Sequence, residues 1–237
     1  MATTQYTPPA AKTDDPFTIV IPTRNEAATI ADIVTRSLQL TPFVLVMDTA
    51  SNDGTPALAI QRGAQVVNVP KQGKGLAIRA AANHVTTPLV VFIDADGSHV
   101  VEDIPKLIAP LHAGSADHVQ ASRLIGGSSE LHGGFDEFFR LSGSALITAL
   151  INWRFQVRLS ESQNGFRALR LDLLRQLDLR EKITTIEQEM VIKTLKVGGR
   201  LAEIPSHEHK RMHGYSSIRL SQVWWRYVYS VIKLLII

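Results

Sequence analysis

Four short apolar runs, rich in β-branched residues, open the chain at Phe17–Ile21, Phe43–Met47, Gln65–Val69 and Leu89–Ile93, recurring about every 22–26 residues. Between them the apolar positions follow helical spacing over Glu26–Leu38, Thr55–Arg62 and Lys74–His84. Strand and helix alternating at this period predict βαβ units: one α/β domain with a mostly parallel sheet flanked by helices. Ligands bind such sheets beyond the carboxyl ends of the strands. Those ends carry Thr23-Arg24-Asn25-Glu26, Asp48-Thr49-Ala50-Ser51 and Asp94-Ala95-Asp96.

The second half is less regular. Asp136–Asn152 and Ile186–Lys196 read as helices, and Arg200–Ile204 as a strand ended by Pro205. Residues 1–16, broken by Pro8, Pro9 and Pro16, read as a flexible arm. The expected division is this arm, a domain over 17–218, and an amphipathic helix over 219–237. In that last helix Gln222, Arg226, Ser230 and Lys233 would form one polar stripe against an apolar remainder. Seventeen helical residues reach about 25 Å, short of a hydrocarbon core of ~30 Å, so a helix lying in a membrane interface fits better than a span. The alternative is a helix packed on the core. The chain also stops within an apolar run that could continue into a longer membrane segment.

Charge sharpens this picture. The net charge is only +3, yet Lys210–Ile237 holds Lys210, Arg211, Arg219, Arg226 and Lys233, two Trp, three Tyr and no acid. A basic, aromatic, apolar segment suits an anionic lipid or phosphate surface. No basic stripe runs through the rest, which argues against nucleic acid. The absence of cysteine excludes disulfides, thiolate metal sites and a cysteine nucleophile.

Asp94 and Asp96 are delivered into solvent by a buried strand. Two hard oxygen ligands suit Mg²⁺ or Mn²⁺ bridging to a phosphate; a solvated strand end is the plain alternative. Pro22-Thr23-Arg24-Asn25-Glu26, Asp48–Thr55, Gly73-Lys74-Gly75 and Asp94-Ala95-Asp96 follow one another in the order P-T-x-N-E, D-D-G-S-x-D-G-T, G-K-G-x-A, D-x-D. Ala121-Ser122-Arg123, Ser162–Arg167, Glu203-Ile204-Pro205 and Arg211–Ser216 continue the series. Over roughly residues 17–218 the chain resembles the family 2 glycosyltransferases with the GT-A fold, and within them the dolichol-phosphate mannosyltransferases and related polyprenyl-phosphate enzymes.

That resemblance implies inverting, metal-dependent transfer of a hexose from a nucleotide-diphosphate sugar, GDP-mannose first and UDP-glucose second, to a polyprenyl phosphate at the cytoplasmic face of a membrane. Pro22, Thr23, Arg24, Glu26, Met47, Asp48, Thr49, Lys74, Asp94, Ala95 and Asp96 would line the nucleotide site. Asp94, Asp96 and Ser98 would hold Mg²⁺ or Mn²⁺; Thr49 and Ser98 stand where relatives carry Asp and Gln. Arg123, Arg140, Ser144 and Arg211 would receive the acceptor phosphate, with Asp96, Arg123 and Arg211 the catalytic set. Guanidinium forks match phosphate oxygens. Glu161 is the possible base, and Glu187 and Glu189 are further candidates. A phosphate acceptor, with a second pKa around 6, needs no strong base. A transferase acting on a soluble or carbohydrate hydroxyl is the alternative. Phe92–Ser98 also resembles the first motif of haloacid-dehalogenase-type phosphatases, but the later acidic pair is missing. A catalytically dead membrane-binding module is the remaining class.

Overall fold

The computed structural model describes residues 5–10, 12–129, 135–211 and 220–236, the side chains of 135–141, 220–226 and 236 excepted. The first half alternates as the pattern requires: β1 Phe17–Thr23, α1 Ile30–Leu38, β2 Val44–Asp48, α2 Thr55–Gln61, β3 Gln65–Asn68, α3 Lys74–His84 and β4 Leu89–Phe92. Then follow α4 Ile104–His112, β5 His118–Ser122, α5 Arg123–Gly126, α6 Phe135–Phe155, β6 Arg167–Arg170, α7 Leu171–Gln176, α8 Ile186–Lys196, β7 Leu201–Pro205 and α9 Leu220–Ile236.

The strands form one sheet in the order β3-β2-β1-β4-β6-β5-β7. All pairs are parallel except those of β6, which runs antiparallel to β4 and β5. Phe92 at the end of β4 therefore faces Arg167 at the start of β6, and Ser122 and Pro205 end β5 and β7 together. The carboxyl ends of β1, β2, β4, β5 and β7 and the amino end of β6 share one edge.

Period-2 alternation sends side chains to both faces. Ile19, Ile21, Val44, Val46, Val91 and Ile93 pack with α1 and α4. Val20, Leu45, Met47, Val90 and Phe92 pack with α3, α7 and α8. Each such burial contributes about 1.5–3 kcal/mol, which holds the strand ends rigid under the loops.

Three differences from the sequence reading have physical causes. Helix α1 starts at Ile30, not Glu26, because residues 26–29 form a turn in which Glu26 N–H donates to Thr55 Oγ1 at 2.9 Å. The arm is anchored at Tyr6, which is buried, its N–H donating to the Val197 carbonyl at 2.7 Å and its hydroxyl reaching Asp172 at 3.2 Å. Helix α9 packs on α6 and α8, with Val231 buried beside Ile147, Ile151, Val191 and Ile192. Ser230, expected on the polar stripe, points inward because the Glu181 carboxylate accepts its hydroxyl at 3.0 Å. Gln222 and Arg226 of that stripe lie outside the described side chains. The opposite faces leave Leu146, Leu150 and Trp153 of α6 and Val228, Tyr229 and Ile232 of α9 exposed. Among the described residues no helix is long and apolar enough to cross a membrane.

Candidate functional site

The shared sheet edge gathers charges of both signs. The loops after β1 and β2 are stitched together. Asn25, held at φ 56°, accepts the Asn52 N–H on its Oδ1 at 2.9 Å, and Asp53 Oδ2 accepts the Ala27 N–H at 3.0 Å. Asp48 is buried and committed on both oxygens, to the Thr23 hydroxyl at 3.2 Å and the Ser51 N–H at 3.0 Å, an Asx-type closure of its own loop. The Thr49 hydroxyl turns back to the Thr23 carbonyl at 2.9 Å. Met47 and Ala95 bury their side chains in the core, so only their backbone reaches the edge. Pro22 is half-buried and Arg24 exposed beside them.

Asp94 and Asp96 leave β4 with different partners. Asp94 Oδ1 lies 2.5 Å from Lys74 Nζ, and its Oδ2 lies 3.4 Å from His99 Nε2. Burial alone would raise the Asp94 carboxyl, but the Lys74 ammonium and His99 override it and hold it well below the usual carboxylate range. Lys74 Nζ is shared with Glu187 Oε1, also at 2.5 Å. Asp96 Oδ1 accepts the Ser98 N–H at 3.0 Å and the Ser98 hydroxyl at 2.7 Å. As the side chains stand, Ser98 orients Asp96 and has its hydroxyl committed there. Asp96 Oδ2 faces Arg211 Nη2 at 2.8 Å, whose Nη1 lies 4.0 Å from Glu26 Oε1. Burial, then the Asp96 charge, pushes the Glu26 carboxyl up to about 7, against the pull of Arg211.

The carboxylates at the end of β4 are of the donor type that a divalent cation takes. Asp96 Oδ2 has a cation as its partner, and the available ligands are hard carboxylate oxygens. Among the described residues no group of three or more His, Asp or Glu is placed to hold a metal ion by itself.

The second cluster surrounds Arg123, at the start of α5. Its backbone N–H donates to Glu161 Oε1 at 2.6 Å, its Nε lies 3.1 Å from Glu161 Oε2, and its Nη1 donates to Glu208 Oε2 at 2.9 Å. Glu161 is buried, and burial pushes its carboxyl up against the pull of Arg123. As placed, it anchors Arg123 and presents no open oxygen to an acceptor hydroxyl. Leu124 and Ile125 beyond it are exposed. Ser144 is half-buried on α6, and the Arg140 side chain lies outside the described residues.

Other residues build the site through partners that their place in the sequence did not give. Glu203 of β7 accepts the Ser160 N–H at 2.7 Å and the Gln120 amide at 2.9 Å, clamping the loop that carries Glu161. The His209 N–H donates to the Ser98 carbonyl at 2.8 Å, which brings Arg211 to Asp96. Phe166 stacks on His99 at 5.2 Å. Glu189, weighed as a base, instead accepts the backbone N–H groups of Arg180 and Glu181 at 2.9 and 2.8 Å. The motif series contained Glu203 and Phe166, but it could not say which loops they join.

The comparisons agree with this layout. A family model described as glycosyl transferase family 2 matches residues 18–177. Glycosyltransferase AglJ of Haloferax volcanii is 31% identical over 205 residues, 85% of this chain and 66% of that protein, so the chain spans just under two thirds of its length. The undecaprenyl-phosphate mannosyltransferase of Micrococcus luteus is 30% identical over 201 residues, 78% of this chain and 80% of the relative. The crystal structure of Mycobacterium tuberculosis glucosyl-3-phosphoglycerate synthase with Mn²⁺, UDP-glucose and phosphoglyceric acid shares the fold, with a TM-score of 0.74 at 22% identity over 100% of this chain and 88% of that one. With a family match over most of the β1–α7 region and the GT-A sheet order beneath it, the chain belongs to glycosyltransferase family 2 and is a glycosyltransferase.

Proposed function

We propose that the chain transfers a hexose, mannose first, from a nucleotide-diphosphate sugar to a polyprenyl phosphate, with inversion, at a membrane surface. The observation that carries the donor half is the pair Asp94 and Asp96 at the end of β4, each balanced by a side-chain cation. Asp96 and Asp94 would hold Mg²⁺ or Mn²⁺, as the related synthase structure holds Mn²⁺ with UDP-glucose. The bound ion would stabilise charge on the departing nucleoside diphosphate. Thr23, Arg24 and Glu26 border the space for the base, and Lys74, held between Asp94 and Glu187, would steady a nucleotide phosphate.

The acceptor half rests on Arg123 and Arg211. Arg123 is pre-oriented by Glu161 and Glu208, so its guanidinium loses little freedom when it meets a phosphate. A phosphomonoester arrives already anionic, and its oxygen can attack the anomeric carbon without a protein base. The name of the Micrococcus relative supports a lipid phosphate. So do the exposed apolar side chains of α6 and α9, which suit contact with a bilayer.

The test is incubation of the protein and polyprenyl-phosphate vesicles with a panel of radiolabelled nucleotide sugars, then lipid extraction. Label in the lipid phase with Mn²⁺ or Mg²⁺ supports the reading. Label only in water-soluble product, with added glycan or small phosphorylated acceptors, rejects the lipid acceptor.

A further inference from the structure

Glu187 is a buried acid on the first turn of α8. Its Oε1 lies 2.5 Å from Lys74 Nζ, and Lys74 Nζ lies at the same distance from Asp94 Oδ1. One ammonium group is thus held between one carboxylate of the donor site and another that belongs to a different layer of the fold.

The chain goes to some length to build this bridge. At Gly75 an added Cβ would stand 2.5 Å from the Glu181 carbonyl oxygen, so the start of α3 lies directly on the segment leading into α8. At Gly165 an added Cβ would stand 2.5 Å from Lys74 Nζ and 2.6 Å from Asp94 Oδ2. The missing side chain is the room in which ammonium and carboxylate meet. Phe166 stacks on His99, the other neighbour of Asp94. Arg167, buried and pushed down to about 10 by that burial, donates its Nη1 to the Glu187 carbonyl at 2.9 Å and its Nε to the Asn164 carbonyl at 3.0 Å. Asn164 Oδ1 accepts the Phe166 N–H at 2.8 Å. Each residue from Asn164 to Arg167 thus touches Asp94, Lys74, His99 or Glu187, or fixes one that does.

We infer that Glu187 is a positioning residue of the nucleotide site that acts through Lys74, with the Asn164–Arg167 loop as its frame and Gly165 as the space it requires. Glu187 gives Lys74 a second anchor, so the ammonium is not lost wholly to Asp94 when the donor needs that carboxylate. Glu187 then needs no contact with substrate and takes no proton from the acceptor. The inference rests on Asp94 serving the donor, as proposed above.

The experiment is a double-mutant cycle read by nucleotide binding. Wild type, Glu187→Gln, Lys74→Met and the double variant are titrated calorimetrically with GDP and with UDP in the presence of Mn²⁺, and their melting temperatures recorded. Loss of a charge-assisted contact predicts affinity about tenfold weaker in Glu187→Gln. Lys74→Met should lose at least as much, and the double variant should bind no worse than Lys74→Met. The Michaelis constant for the nucleotide sugar should rise in Glu187→Gln while that for the lipid stays put. Losses that multiply in the double variant overturn the inference. So does a Glu187→Gln enzyme with normal nucleotide affinity and a collapsed kcat, the behaviour of a base. Should Glu187→Gln fail to fold, Gly165→Ala decides: weakened nucleotide binding at near-normal melting temperature supports the bridge, and full affinity overturns it. Asp94→Asn separates the two layers. Normal nucleotide binding there sinks the donor assignment itself, whereas weak binding there with normal Glu187→Gln and Gly165→Ala sinks only the positioning.

Discussion

Arg211 Nη2 lies 2.8 Å from Asp96 Oδ2, on the one oxygen of that carboxylate left free by Ser98. A guanidinium and a divalent cation seeking the same oxygen repel each other. Arg211→Ala is therefore expected to bind Mn²⁺ more tightly without nucleotide, by roughly an order of magnitude, as read by electron paramagnetic resonance. Transfer to lipid should nonetheless fall, because the same arginine is assigned to phosphate. Unchanged Mn²⁺ affinity would show that the ion does not meet this oxygen.

Asp96→Asn keeps the shape and the Ser98 contacts while removing the charge. Metal-dependent transfer should drop by orders of magnitude with the melting temperature nearly unchanged. Full activity, or activity undiminished by chelator, would remove Asp96 from the metal site.

Glu26 sets a pH dependence of the metal-free protein. Its folded carboxyl titrates at about 7, above its ordinary value of 4.5, because burial and Asp96 disfavour the charge. The folded state then holds more protons than the unfolded state between these values, so stability falls as pH rises through that window. Glu26→Gln should raise the melting temperature at pH 8 relative to wild type and change it little at pH 4. A uniform shift at both pH values would contradict the raised carboxyl.

Glu161 offers a contrast between a base and an anchor. Because it accepts the Arg123 N–H and sits beside its guanidinium, Glu161→Gln should raise the Michaelis constant for polyprenyl phosphate and lower the melting temperature. Arg123→Ala should do the former more strongly, about 10- to 150-fold for a lost charge-assisted contact. A dead Glu161 variant with normal lipid affinity beside a nearly normal Arg123 variant would restore the base and a hydroxyl acceptor.

Deleting α9 does not test membrane contact cleanly, because Val231 and Tyr227 pack on α6 and α8. Substitution on the exposed face does. Trp153→Ser with Tyr229→Ser and Ile232→Ser should weaken sedimentation with anionic vesicles while leaving the melting temperature and nucleotide affinity near wild type. Undiminished vesicle binding would place the membrane contact elsewhere.

The donor half of the fold was legible because β1, β2 and β4 are plain apolar runs and their exits carry the polar motifs. Strands β5 and β6 were not, for a physical reason. His118, Gln120, Arg167 and Arg170 are fully buried, and the hydrogen bonds they make go to partners distant in sequence such as Thr194, the Glu161 carbonyl and the Leu111 carbonyl. Nothing in periodicity separates such a strand from a loop. Helix α4 was hidden by Pro105 and Pro110, the first harmless near a helix start. In the site, residue types were readable but partners were not. Glu187 read as a candidate base on a helix, and only the close approach of α3 to the segment before α8 makes it a partner of Lys74.

The reversed direction of β6 has an evolutionary consequence. Because β5 leaves the sheet and β6 re-enters it at one edge, in adjacent register through Gln120 and Arg167, the chain that departs at Arg123 comes back at Gln163 on the same reactive side. That stretch can be lengthened, shortened or exchanged without re-registering a strand, provided Asn164–Arg167, which frames Lys74 and Asp94, is kept. With the acceptor bound there, as proposed above, its preference could change as a cassette while the donor loops keep their geometry.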